Sequence, residues 1–166
     1  MRRTLLLVVI AGLALGAAET ASAAVPVVLR TPGAELVELL NGNGRAVVAR
    51  RGSLLLTVGS GRLRLVDLAG AGSPNLNPQC RQRARRVRAN AVEIVGTNIR
   101  CRIWSGENGG PWQVVIRGRR ISASGIVRGS LTLDAVNSGP TGQYRIAGES
   151  WKRWPRQART FSLDRK

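Results

Sequence analysis

The chain contains no histidine, which excludes Ser-His-Asp and Cys-His nucleophiles and histidine-bearing zinc centres. Acidic residues are nearly as scarce. Nine Asp and Glu stand against 26 Lys and Arg, and they are scattered, so an oxygen-rich calcium site is not expected. General acid–base chemistry would fall to an isolated carboxylate, a lysine or Tyr144. Ser150 and Lys152 do not have the spacing that sets serine and lysine on one helical face. Gly42-Asn43-Gly44 and Gly59-Ser60-Gly61 lack the pattern and the following helix of a phosphate loop, so they read as turns. The composition therefore implies no cofactor and no metal. Aromatics are few, with four Trp, one Tyr and one Phe, all beyond residue 100, which leaves a core of Val, Leu, Ile and Ala.

What is abundant is arginine. Only Lys152 and Lys166 among the 26 cationic residues are lysine, and the formal net charge is +17. A field of that size implies an anionic partner, although charge alone does not choose among nucleic acid, acidic glycan, teichoic-type polymer, lipopolysaccharide or a membrane face. The N-terminus narrows the choice. Arg2 and Arg3 precede an apolar run from Leu5 to Leu15, and Ala21-Ser22-Ala23 has the small-x-small form that a signal peptidase cleaves. The expected organisation is a signal peptide over residues 1–23 and a single β-rich domain over 24–166, periplasmic or secreted, with no transmembrane span after processing. Export discounts nucleic acid and favours an anionic cell-envelope polymer or an acidic partner protein.

Cys80 and Cys101 are the only cysteines, and in an exported chain they read as one disulfide, with free thiols or an intermolecular bridge as the alternatives. Closing that loop stabilises the fold by roughly 3 kcal/mol on the chain-entropy model. Just after Cys80 the arginines Arg81, Arg83, Arg85, Arg86 and Arg88 crowd together. They form either a solvated loop or a patch that attracts polyanions, screened over about 8 Å at physiological salt.

From Val25 onward, short apolar runs alternate with Gly, Asn, Ser and Pro clusters, and no long stretch has helical period. The fold class expected is all-β, a small antiparallel sandwich or barrel of nine or ten short strands built from hairpins. Asn41-Gly42-Asn43-Gly44 is the first expected hairpin turn, between Ala34–Leu40 and Arg45–Arg50, although AELVELL also fits one or two helical turns. Gly59-Ser60-Gly61 is the second, between Leu54–Val58 and Arg62–Leu68, with Arg62 and Arg64 wet and Leu63 and Leu65 dry. Gly96-Thr97-Asn98 is a further turn, placing Cys101 inward on the strand that follows. Residues 105–111 are expected to join Arg100–Trp104 to Trp112–Arg117, pairing Trp104 with Trp112 across strands. Ser130–Val136 pairs with Gln143–Ile146 on this reading, with Leu131 and Leu133 inward, and Arg159–Leu163 is a last strand.

The C-terminal segment QYRIAGESWKRWPRQARTFSL interleaves aromatic rings with cations. Trp151, Lys152, Arg153, Trp154 and Arg156 are its candidate ligand-binding residues, because flat rings stack on sugars while guanidinium groups pair with carboxylate or phosphate. The other reading is a terminal strand pinned to the core by its tryptophans. Glu149 with Trp154-Pro155, then Ala158-Arg159-Thr160-Phe161-Ser162-Leu163, preceded by Arg128-Gly129-Ser130-Leu131, resembles the sporulation stage II protein D family of peptidoglycan glycan-strand lyases and amidase enhancers. Ser150 and Trp151 replace that family's Met-Pro, and most of its intervening helix is missing. The resemblance implies a peptidoglycan-cleaving activity with Glu149 in the catalytic acid position. The residues taken by themselves point instead to a non-catalytic binding domain.

Overall fold

The structure, a computed structural model, describes residues 34–49, 51–68, 75–105, 111–135 and 141–164. The expected signal peptide and cleavage site lie outside them. The described chain is all-β and antiparallel: β1 (Glu35–Ala49), β2 (Gly52–Asp67), β3 (Asn75–Leu76), the short helix α1 (Pro78–Arg83), β4 (Arg85–Arg88), β5 (Ala91–Trp104), β6 (Trp112–Val127), β7 (Ser130–Asp134), β8 (Gln143–Ile146), β9 (Lys152–Arg153) and β10 (Arg159–Ser162). All ten strands belong to one sheet, ordered β10-β7-β1-β6-β2-β5-β3. Strand β4 also pairs with β5, β8 with β1, and β9 with β8.

The expected turns are the main correction. Gly42-Asn43-Gly44, Gly59-Ser60-Gly61 and Gly96-Thr97-Asn98 all lie inside continuous long strands, and AELVELL is strand from Glu35 onward, with no helical turn. Their glycines fall opposite one another: Gly44 pairs with Gly118, Gly118 with Gly61, and Gly61 with Gly96. A row of glycines thus crosses the four long strands. Gly61 and Gly96 have φ of +146° and +144°, a region open mainly to glycine. At Gly61 a Cβ would also run into the backbone of Arg117 and Gly118. The row is a crease: the β1–β6 register shifts beside it in the manner of a bulge, and the burial phase of β2 changes across it. Buried residues run Leu54, Leu56, Val58 before the crease in β2 and Leu63, Leu65 after it, a change from even to odd positions.

At this crease the sheet doubles over. As a straight strand β2 would span about 50 Å at roughly 3.3 Å per residue. Yet Gly52 N, at its start, and Trp112 Nε1, on the residue opposite Asp67 at its end, both donate to Ser105 Oγ, at 3.1 and 2.9 Å. The two leaves meet again where Tyr144 of β8 and Phe161 of β10 bring their ring centroids to 5.1 Å. Their dry faces form one cluster, including Val37, Leu54, Leu56 and Ile103 from the first leaf and Leu63, Leu65, Ile116 and Leu133 from the second. A sandwich-like core therefore comes from one folded sheet.

Strand partners also differ from the hairpin expectation. Arg100–Trp104 and Trp112–Arg117 are not neighbours, because β2 lies between β5 and β6. Trp104 pairs with Ser53 and Trp112 with Asp67, so the expected tryptophan pair is not a cross-strand pair. Strands β7 and β8 do not pair with each other either; both add to β1, on opposite sides of the crease, at Arg45–Ala49 and Val37–Leu40. The expected burial pattern holds where it was specific: Leu63, Leu65, Leu131 and Leu133 are fully buried and Cys101 faces inward. Cys80, on α1, is bonded to Cys101 with Cα atoms 5.4 Å apart, which fastens the helix to β5.

Candidate anion-binding surface

Three basic regions were candidates or emerge from the fold. The arginine run is wholly at the surface: Arg81 and Arg83 on α1, and Arg85, Arg86 and Arg88 on β4, are all exposed. Pro78 at the start of α1 supplies a helix-compatible φ without wasting an N–H, and extended Ala84 ends the helix after six residues. Arg83 donates to the carbonyls of Thr97 and Asn98, at 3.0 and 3.3 Å, and so braces the bend in β5. Arg85 lies 3.8 Å from the Glu93 carboxylate, whereas Arg86 and Arg88 make no ion pair among the described residues.

The second region is one the sequence did not reveal as a unit. On the outer face of the second leaf, Arg45 of β1, Arg117 of β6 and Arg62 of β2 stand directly opposite one another on three adjacent strands. Neighbouring strands are about 4.8 Å apart, and like charges directly opposite are destabilising. The two ends of this row are neutralised. Asp134 accepts from Arg45 at 2.9 Å, and Glu93, itself nearly buried, lies 3.5 Å from Arg62. Arg117 in the middle makes no ion pair among the described residues, and Arg64, one step along β2 and directly opposite Glu93 on β5, makes none within 4.0 Å. These four arginines, with the Glu93 carboxylate among them, line a groove of about 460 Å³ floored by Val47 and Val115. A smaller depression of about 270 Å³ shares Arg64 and Val115 and is lined at its far side by Arg88. The groove thereby meets the β4 end of the arginine run, and Glu93 bridges the two through Arg62 and Arg85. Within the groove, Arg45 Nε and Arg64 Nε are buried without a hydrogen-bond acceptor in the protein. An unsatisfied buried donor costs about 1–3 kcal/mol.

The third region is the C-terminal segment, which divides between surface and core. Trp151, Lys152, Arg153 and Arg156 are exposed, and Trp151 lies beneath the Arg145 guanidinium, 4.7 Å from its carbon to the ring centroid. Arg145 in turn pairs with Glu38 on the neighbouring strand. Trp154 departs from the expected ligand face. It is 2 % exposed, and its ring occupies the space beside Gly42 where any side chain would collide with it. It is therefore a core residue at the crease, and its backbone N–H donates to Gly142 O at 3.0 Å.

Glu149 does not have the setting of a general acid. It follows the turn after β8, is exposed, and accepts from Lys152 Nζ at 2.6 Å. That hydrogen bond, reinforced by the ammonium charge, holds its carboxyl below the ordinary carboxylate value of 4.5. A group that must deliver a proton near neutrality needs the opposite shift. Among the described residues no three His, Cys, Asp or Glu side chains gather as a metal site, and no helix is long and apolar enough to cross a membrane. Comparison with known proteins finds no matching family model, curated protein or solved structure.

The groove arginines escaped sequence reasoning because β6 inserts between the consecutive strands β1 and β2, and Arg117 thereby joins Arg45 and Arg62. One signal was present: the alternation that makes Arg62 and Arg64 wet while Leu63 and Leu65 are dry. Which residues would share that wet face depended on register.

Proposed function

We propose that the protein is an exported, non-catalytic domain that binds an anionic cell-envelope polymer, or an acidic partner protein, through its arginine-rich surface. The observation that carries this reading is the continuity of the run with the groove, through Arg85, Glu93 and Arg62 on one side and Arg88 and Arg64 on the other. A net charge of +17 supplies long-range attraction, and the arginine forks supply short-range contacts to carboxylate or phosphate oxygens. The exposed, lysine-paired Glu149 weighs against the glycan-cleaving alternative. The disulfide agrees with an oxidising compartment.

The test is retention of the folded protein on purified peptidoglycan carrying its anionic polymers, at low and at high salt. Salt-sensitive retention with no soluble product is the expected result. Absence of retention even at low salt would overturn the binding reading. Release of muropeptides that disappears in Glu149→Gln would replace it with the enzymatic one.

A further inference from the structure

We infer that the groove on the outer face of the second leaf is a built site for a phosphate-bearing anion, with Arg117 and Arg64 as its central ligands. This deepens the proposed polyanion-binding function and rests on it for the class of partner. The argument begins with what the chain already neutralises. Asp134 and Glu93 serve Arg45 and Arg62 at the two ends of the cross-strand row, and nothing among the described residues serves Arg117 between them. Arg64 lies on the diagonal from Arg117, since Arg62 pairs with Arg117 and Arg64 with Val115. Diagonal neighbours on one sheet face are about 7–8 Å apart, within reach of two long side chains converging on one group.

The geometry selects the chemistry of that group. A planar carboxylate can be matched by a single guanidinium fork. Two forks arriving from different strands call for an anion with oxygens pointing in several directions, as a tetrahedral phosphoryl group has. The apolar floor of Val47 and Val115 excludes water beneath the anion and leaves the contact less screened than one on the open surface. Arg117 and Arg62 are exposed, as the arginine run is, and the run differs in that no groove with an apolar floor gathers its side chains. Its part is to attract the polyanion and to hold successive groups.

Pyrophosphate is the probe, titrated calorimetrically into the full chain at physiological salt. Saturable binding to one site is expected, weakened about tenfold or more by Arg117→Gln and by Arg64→Gln, and about twofold or less by Arg81→Gln with Arg86→Gln. Arg117→Lys keeps the charge and loses the fork, so it should also weaken binding while leaving the melting temperature unchanged. No saturation with pyrophosphate, or binding indifferent to Arg117→Gln, would overturn the site. Citrate bound as tightly, with the same dependence on Arg117, would overturn the preference for phosphate. Polyglycerol phosphate and phosphatidylglycerol vesicles then separate a polymer source from a lipid source, each through a loss in Arg117→Gln. If peptidoglycan retention is salt-sensitive while pyrophosphate fails, the groove inference falls and the broader binding reading stands. If pyrophosphate binds while no polymer is retained, the reverse holds.

Discussion

Two sets of arginines in this molecule were assembled by different means. Arg81 to Arg88 are crowded by the primary sequence, yet they end on a short helix and an edge strand where every one is exposed. Arg45, Arg62 and Arg64 lie on consecutive strands and Arg117 far along the chain, yet all four line one groove, and two of them have buried donors. Density along a sequence thus produced a diffuse surface, whereas strand register produced a concave site. Desolvation accounts for the difference in consequence. Charges in open water are screened and interact weakly, but partly buried ones retain their interaction energy and their demand for partners.

The contrast is broken most completely at the crease, since the fold that sets the register of Arg45, Arg117 and Arg62 turns there. Gly61→Val should abolish folding or lower stability by more than about 3 kcal/mol, because a β-branched residue is strained at φ +146° and would meet the backbone of Arg117 and Gly118. Chemical denaturation measures it, and a loss below 1 kcal/mol would mean that the strands bend elsewhere. Next in size is the disulfide. Cys80→Ser with Cys101→Ser should cost roughly 3 kcal/mol and should release residues 81–88 to hydrogen exchange before β2 and β6. Simultaneous exchange would show that the run is held by packing rather than by its covalent tie.

Glu93 joins the two arginine sets, and Glu93→Gln sharpens the comparison by cutting that joint. The nearly buried carboxylate faces both Arg62 and Arg85, so a loss of about 1–2 kcal/mol is expected, shrinking as salt is raised. An unchanged melting temperature would make the groove independent of the run. The smallest effect belongs to the exposed Glu149–Lys152 pair. Glu149 titrates below 4.5 in the folded chain, so what the pair adds is present above that value and vanishes as pH falls through the lower folded one. Lys152 is raised above 10.5, so its part persists below that value and is lost as pH rises through the raised one. Between these limits the pH profile of the melting temperature should be flat for both the parent chain and Glu149→Gln, and a slope there that Glu149→Gln removes would show the pair to matter more than its exposure allows.

Much of the fold was legible, and the failures share one cause. Alternation assigned Leu63, Leu65, Leu131 and Leu133 to the core correctly, because period-two patterning is local and burial enforces it. The same local signals misread Gly42-Asn43-Gly44, Gly59-Ser60-Gly61 and Gly96-Thr97-Asn98. Glycine with positive φ is required both by a hairpin turn and by a bend within a strand. Only the partner strand distinguishes the two, and here Gly44, Gly118, Gly61 and Gly96 lie opposite one another in register. At the site, the exposure of Arg81 to Arg88 was readable, while the division between exposed Trp151 and buried Trp154 was not. Both tryptophans sit in one cationic segment, and the cavity beside Gly42 chose between them.

By itself the sequence determined the β class, the cysteine pairing, the sign and scale of the charge, and which residues of a strand turn from water, since each depends on composition or on neighbours a few positions apart. The tertiary structure alone decided that four strands run through their glycines instead of turning back, that Trp154 lies inside, and that Arg45, Arg117, Arg62 and Arg64 share a groove. Those outcomes depend on contacts between strands remote in the chain, and backbone hydrogen bonding, which is the same for every residue, leaves their register to be settled by how the whole sheet packs.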